Sequence, residues 1–207
     1  MNIRQASRFR FALVLMTAVA SWSCAGDVDE GGTGTGGTGG TGGASGAGGS
    51  AGSAGSSGLK IQYRTADTLT NDNQIKPVLQ VVNTGTLAVP MSELKIRYWY
   101  TNEGGIAQTA NCDWAAVNCT NVTRAFVAVS PVRPLADTYL EVGFSAGAGS
   151  VAAGANSGEI QLRTNKNDWS NYNEANDHSY DVTKTVFADW NRVTLYRNGA
   201  LVWGTEP

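Results

Sequence analysis

Apolar residues along this chain come in short alternating runs. Ile160 and Leu162 alternate with Gln161 and Arg163, and Leu140, Val142 and Phe144 alternate with Glu141 and Gly143. A period of two is the mark of a pleated strand with one face buried. Runs of this kind, rich in Val, Ile, Tyr and Trp, cover residues 60–64, 76–83, 94–101, 125–130, 138–144, 159–164 and 192–196 with 201–203. Turn residues separate them. Asn198-Gly199, between Tyr196 and Leu201, suits a type I′ hairpin turn, and Asn83-Thr84-Gly85 marks another turn. No stretch of ten or more residues holds a helical period. The pattern predicts an all-β domain, an antiparallel β-sandwich or jelly roll.

The same alternation singles out candidate chemistry. If Ile160 and Leu162 point into the core, Gln161 and Arg163 leave the strand together on the outer face. Trp169 follows in a polar stretch with no apolar neighbours, flanked by Asp168, Ser170 and Asn171. A guanidinium fork, an amide and an indole on one surface suit a ligand that is part hydroxyl and part flat C–H face. A sugar chain is such a ligand. Trp99, Trp190 and Trp203 lie within or beside strand patterns and are expected to be core. Tyr98, Tyr100 and Tyr139 fit either half-buried sheet positions or a second groove on the opposite sheet.

Composition divides the chain into three segments. Residues 1–23 combine Arg4, Arg8 and Arg10 with the apolar run 11–20, the pattern of a secretory signal too short for a permanent membrane span. Cys24 directly follows the small residue Ser23, as at a lipoprotein cleavage site, so a lipid anchor on Cys24 is expected. Residues 24–58 form a linker, almost only Gly, Thr, Ser and Ala from 31 onward, which is expected to be a flexible tether spanning roughly 30 Å. Residues 59–207 are enough for one domain with its own core.

Charge and cysteines narrow the function classes. The net charge of −2, with no basic cluster, argues against nucleic acid as a partner and against binding anionic lipid through protein charge. The membrane is then reached only through the lipid. Of the three cysteines, Cys24 is the odd one, and Cys112 and Cys119 can pair in an oxidising exterior. A free or metal-bound pair is the other reading of these two. The expected location is the outer cell surface or a periplasm-facing membrane, or the medium if the lipid is absent.

Several motifs carry a resemblance. Asn73-Gln74-Ile75-Lys76-Pro77, Arg97-Tyr98-Trp99-Tyr100-Thr101, Cys112-Asp113-Trp114-Ala115-Ala116, Tyr139-Leu140-Glu141-Val142, Asn167-Asp168-Trp169-Ser170-Asn171-Tyr172 and Val202-Trp203-Gly204-Thr205-Glu206-Pro207 together resemble a family 3 carbohydrate-binding module. The likeness covers essentially all of 59–207. It implies a jelly-roll sandwich that binds cellulose or a related β-glucan through a flat strip. The strip positions fall on Asp113, Trp114, Arg163 and Trp169, with polar anchors at Asn73 and Gln161. One further aromatic of the scaffoldin members has no counterpart, since 117–122 is short and holds Cys119. The resemblance also implies a structural calcium held by Thr101, Glu103, Asn173, Asn176 and Asp177, oxygen donors that suit a hard cation. Glu103 stands where an aspartate is usual.

Two other function classes compete with a monomeric, non-catalytic binding module. A glycoside hydrolase needs two carboxylates facing across a cleft, and nothing in the pattern pairs Glu141 with Glu159. A structural or protein-binding relative would keep the fold and lose sugar binding, against which stand Asp113, Trp114, Arg163 and Trp169.

Overall fold

The computed structural model describes residues 58–207. The signal over 1–23, the lipid site at Cys24 and the linker up to residue 57 lie outside the described residues. The longer strands are β1 Leu59–Thr65, β2 Pro77–Asn83, β3 Leu94–Tyr100, β4 Gln108–Ala115, β5 Val122–Arg133, β6 Ala136–Phe144, β7 Ile160–Lys166, β8 Val193–Arg197 and β9 Ala200–Trp203. Helical structure among the described residues is confined to single 3-10 turns such as Met91–Glu93 and Glu174–Asn176.

The strands form two five-stranded sheets. One runs Ala188–Asp189, β1, β2, β7, β4, and the other β9, β8, β3, β6, β5. Neighbours are antiparallel throughout. β7 lies between β2 and β4, far from both in sequence, so the chain crosses from one sheet to the other, and the architecture is the expected jelly-roll β-sandwich. Asn198 and Gly199 both have positive φ, 50° and 84°, as a type I′ turn requires.

Alternation fills the space between the sheets. Ile61, Tyr63, Leu79, Val81, Ile160 and Leu162 enter from the first sheet, and Leu94, Ile96, Leu140, Val142, Val193 and Leu195 from the second. Each such side chain contributes about 1.5–3 kcal/mol on burial. Tyr98 and Tyr100 also belong to this core, not to a groove. Tyr98 stacks tilted on Tyr63 at 6.1 Å, and the hydroxyls of Tyr100 and Tyr172 both donate to the Gln108 side-chain oxygen, at 2.7 and 2.8 Å.

Trp99 points the other way. It is buried on the outer side of the second sheet, where its ring lies 4.7 Å from that of Tyr139. Its indole N–H donates to Thr194 Oγ1 at 2.9 Å, and its backbone N–H donates to Ser179 Oγ at 2.7 Å. Trp190 and Trp203, expected in the core, are only half-buried and pack against its rim.

Replacing Trp99 with alanine leaves a cavity and removes the indole N–H bond to Thr194. Trp99→Ala should destabilise the domain by about 3–5 kcal/mol in urea unfolding. Trp114→Ala, at an exposed position, should stay within about 1 kcal/mol of the parent.

Candidate functional site

The outer face of β7 carries Gln161 and Arg163, as the alternation requires, while Ile160, Leu162 and Thr164 are buried beneath. Its neighbour β4 has an irregular register. Gln161 faces Trp114 and Leu162 faces Cys112, so Asp113 is the extra residue of a β-bulge. A regular strand sends consecutive side chains to opposite faces. The bulge lets Asp113 and Trp114 both lie exposed. The runs predicted from the sequence leave out 108–115, and the structure corrects that: Asp113 and Trp114 belong to a strand whose own pattern conceals it.

The bulge sets up a two-pronged ion pair with β7. Arg163 Nε donates to Asp113 Oδ2 and its Nη2 donates to Asp113 Oδ1, both at 3.0 Å. This fork-on-carboxylate pair is solvent-exposed and adds little to stability. The Gln161 amide donates to Glu159, which also accepts from Arg64 at 3.0 Å. Trp114, Glu159 and Gln161 line a shallow hollow beside the pair.

Trp169 sits in the turn after β7 with φ of 60°, a left-handed conformation that an L side chain rarely adopts. Asp168 Oδ1 accepts from the Ser170 N–H and hydroxyl at 3.0 and 2.8 Å, and these bonds hold the Asp168 carboxyl below the usual range. Thr109 on β4 donates to Asn167 at 2.8 Å. Trp114 and Trp169 are 49% and 53% exposed, the two exposed indoles among the described residues. Asn73 lies between a bridge at Asp72, to Tyr172, and one at Ile75, to Thr164. Its segment is thereby tied to both ends of the Trp169 region.

A disulfide joins Cys112 to Cys119, seven residues on, with Cα atoms 5.7 Å apart. It closes the turn that follows the bulge. The two strand glutamates are apart: Glu141 is bound to Lys95 and Arg97 on the second sheet, while Glu159 flanks the first.

Four of the five residues proposed for calcium meet at one point. Thr101 Oγ1 lies 3.2 Å from Glu103 Oε1, 3.4 Å from Asn176 Oδ1 and 2.8 Å from Asp177 Oδ1. Asn173 enters through its backbone N–H, which donates to Glu103 Oε1 at 2.9 Å. Asp177 Oδ2 is buried without a partner. Burial pushes the Asp177 carboxyl up to about 8 against bonds from Thr101, with the charges of Glu103 and Asp137 adding to the rise. No group of three or more His, Cys, Asp and Glu among the described residues is arranged to hold a metal. The donor set depends on Thr and Asn oxygens.

Sequence reasoning missed Lys166, the last residue of β7. Its side chain is 2% exposed, and it touches both Glu103 and the Trp169 turn. A lysine at a strand end ordinarily reads as solvated, so only its parity with Ile160, Leu162 and Thr164 could have marked it.

Comparison with known proteins gives a consistent answer. Residues 60–204 match the model of a cellulose binding domain family, CBM_3. An uncharacterized protein in the celA 5′ region of Paenibacillus lautus is 54% identical over 147 residues, which are 71% of this chain and all of that protein. Endoglucanase A of the same organism is 49% identical over 150 residues, but these make up only 21% of its length. The solved CBM3b of the major scaffoldin subunit ScaA from Acetivibrio cellulolyticus superposes with a TM-score of 0.70 at 41% identity, covering 72% of this chain and 97% of that one. A family IIIa cellulose-binding domain from Clostridium cellulolyticum gives 0.68 at 34% identity, covering 74% of this chain and 100% of the other.

The left-handed backbone at Trp169 yields a prediction about stability. Glycine adopts that conformation at no steric cost, whereas a tryptophan there is strained by roughly 1 kcal/mol. Trp169→Gly should therefore melt no lower than the parent, and Trp169→Ala should melt below Trp169→Gly. Differential scanning calorimetry of the three proteins checks this order.

Proposed function

The chain belongs to the cellulose binding domain family that spans residues 60–204, and from that premise we propose that the outer face of β7 and β4 is its polysaccharide platform. The domain is a cellulose-binding module, and the family is non-catalytic. The observation that carries the platform is the Arg163–Asp113 fork, formed on the strand pair that also carries Trp114 and leads into the Trp169 turn, with both indoles half-exposed. Charged groups that satisfy each other along a sheet leave room for a flat ligand. Their remaining lone pairs and N–H groups, with the Gln161 amide and Asn73, meet its hydroxyls.

Strand spacing sets the reach of the platform. Trp114 pairs with Gln161, and the Trp169 turn begins after Lys166. Five residues at about 3.3 Å each separate the two ends by about 17 Å. That suits one extended chain of several sugar units with an indole under each end. Each indole stacked on a pyranose face removes ~100 Å² of apolar area from water, roughly 2–3 kcal/mol. Two such contacts, less the ordering cost, correspond to micromolar affinity on the order of 10⁻⁶ M.

The rest of the chain extends this reading. Segment 24–58 acts as a spacer and Cys24 as the lipid attachment point, so that the module holds an exported protein's cell to its polysaccharide. Support for this comes from the sequence pattern of 1–24. Among the described residues Glu141 lies on the second sheet and Glu159 flanks the first, and the activities of longer relatives such as the endoglucanase are not carried over.

Calcium fits the Thr101 cluster on a proton count. The Thr101 hydroxyl has one proton to donate, yet three acceptor oxygens surround it. Oxygens roughly 2.4 Å from a common cation lie about 3.4 Å apart at right angles, near the spacings found here. The buried, unpartnered Asp177 Oδ2 is a further oxygen in want of a cation. Thr101, Glu103, Asn176 and Asp177 would hold the ion, with Asn173 beside them, and its role would be to pin segment 101–103 to 173–177.

Two measurements test these assignments. Microcrystalline cellulose should deplete the purified chain from solution, with xylan and chitin as controls. Trp114→Ala and Trp169→Ala should each weaken that binding by about 1–3 kcal/mol. Parent-like binding by both variants removes the platform from this face and leaves a relative that has the fold without this sugar site. Excess calcium should raise the melting temperature and chelator should lower it, by mass action on the folded state. A melting curve indifferent to both excludes the metal.

A further inference from the structure

We propose that Lys166 is a positioning residue for cellulose binding: its buried ammonium fixes the turn that presents Trp169. The proposal rests on the platform reading above. Lys166 is the last residue of β7 and has the inward parity of Ile160, Leu162 and Thr164. Where Ile160 and Leu162 pack into the apolar core, Lys166 ends in a fully satisfied tripod. Its three N–H groups have three acceptors: the Glu103 carbonyl at 3.1 Å, Glu103 Oε2 at 3.1 Å and the Asn171 carbonyl at 2.8 Å. The ammonium also lies 4.6 Å from the centre of the Tyr172 ring.

Both limbs of the turn converge on this one residue. The Lys166 carbonyl accepts the Trp169 N–H at 3.0 Å, which closes the entering limb. The Lys166 ammonium holds the Asn171 carbonyl, which closes the leaving limb. The five residues 167–171 thus form a loop clasped at base and exit by the backbone and side chain of the same lysine. Trp169 at its apex is held in the left-handed region, and a lone exposed turn would relax out of that conformation. A buried ammonium needs partners to be tolerated at all, and here two of its three partners belong to Glu103 and so fix the lysine's own position. Lys166 touches no ligand on the platform. Its effect is carried by where it puts the indole.

A double-mutant cycle tests this. Lys166→Met keeps the length and apolar stem and removes the donors. Binding to microcrystalline cellulose is measured at 10 °C, well below melting, for the parent, Lys166→Met, Trp169→Ala and the double variant. Lys166→Met should weaken binding roughly tenfold, comparable with losing part of a stacked indole contact. The double variant should bind no more weakly than Trp169→Ala alone, because the lysine acts through the indole. A lysine that serves only the fold would lower the melting temperature and leave affinity at 10 °C unchanged, which would overturn the proposal. Additive losses would overturn it too. If Trp169→Ala itself binds like the parent, the platform reading fails, and this proposal falls with it for a distinguishable reason. Lys166→Gln serves as a second variant. Failure of both lysine variants to fold, with Trp169→Ala folded, would assign Lys166 to the fold and overturn the positioning role.

Discussion

The site depends on β7 being locked in register. A strand with one buried face cannot slip by one residue without turning its whole inner set to solvent. β7 is paired on one side with β2 and on the other with β4, and Ile160 and Leu162 are 0% and 2% exposed. The cost of exposing them fixes which side chains face out. Gln161 and Arg163 are therefore placed by the core beneath them and not by contacts of their own. The exposed Arg163–Asp113 pair could not hold a strand in place, but on a strand held by its core it can set the level of a surface.

That dependence explains what could be read from the sequence. The alternation over 160–163 was legible because its inward half is large and apolar, and from it followed the shared outer face of Gln161 and Arg163. β4 was not legible. Its residues QTANCDWA present a small Ala110 and a half-buried Cys112 inward, where a strand normally shows Val or Ile. The bulge at Asp113 then breaks the period. A strand that gives its outer face to polar and aromatic side chains, and carries a defect that doubles them up, has lost both signals on which strand recognition rests. The Tyr98-Trp99-Tyr100 run failed differently. Both of its faces are covered, so every residue is large and the period cannot say which side is the core. Lys166 was hidden by the base rate that lysines are solvated.

The sandwich is not uniform along its length. Toward the middle the sheets meet through aliphatic side chains. At the end beneath Trp169 the buried set includes Asn165, Lys166 and Asp177, with Glu103 half-buried among them. Apolar packing is tolerant of shape and indifferent to direction, whereas ion pairs and hydrogen bonds fix atoms to within tenths of an ångström once they are desolvated. One glutamate links the two functions at this end: Glu103 Oε1 faces Thr101 and Asn173, and Oε2 faces Lys166. The proposed metal corner and the Trp169 turn thus share a carboxylate.

Three features of the Trp169 turn each oppose stability. An indole is half in water, a non-glycine residue holds a positive φ, and an ammonium is buried at its base. Simple substitutions would remove every one of them: glycine at 169 for the backbone, and a methionine at 166 for the charge. Any one feature alone could be an accident of folding. Their convergence on the stretch 166–169 is harder to account for that way, since strain persists only where the surroundings over-determine it. Here the over-determination is visible, with the turn tied to Lys166 at both limbs, to β4 through Thr109 and Asn167, and to Asn71 through Asn171. A turn that accepts a loss of stability and is then reinforced where it occurs is what the proposed presentation of Trp169 requires, and its indole, like that of Trp114, is left half in solvent.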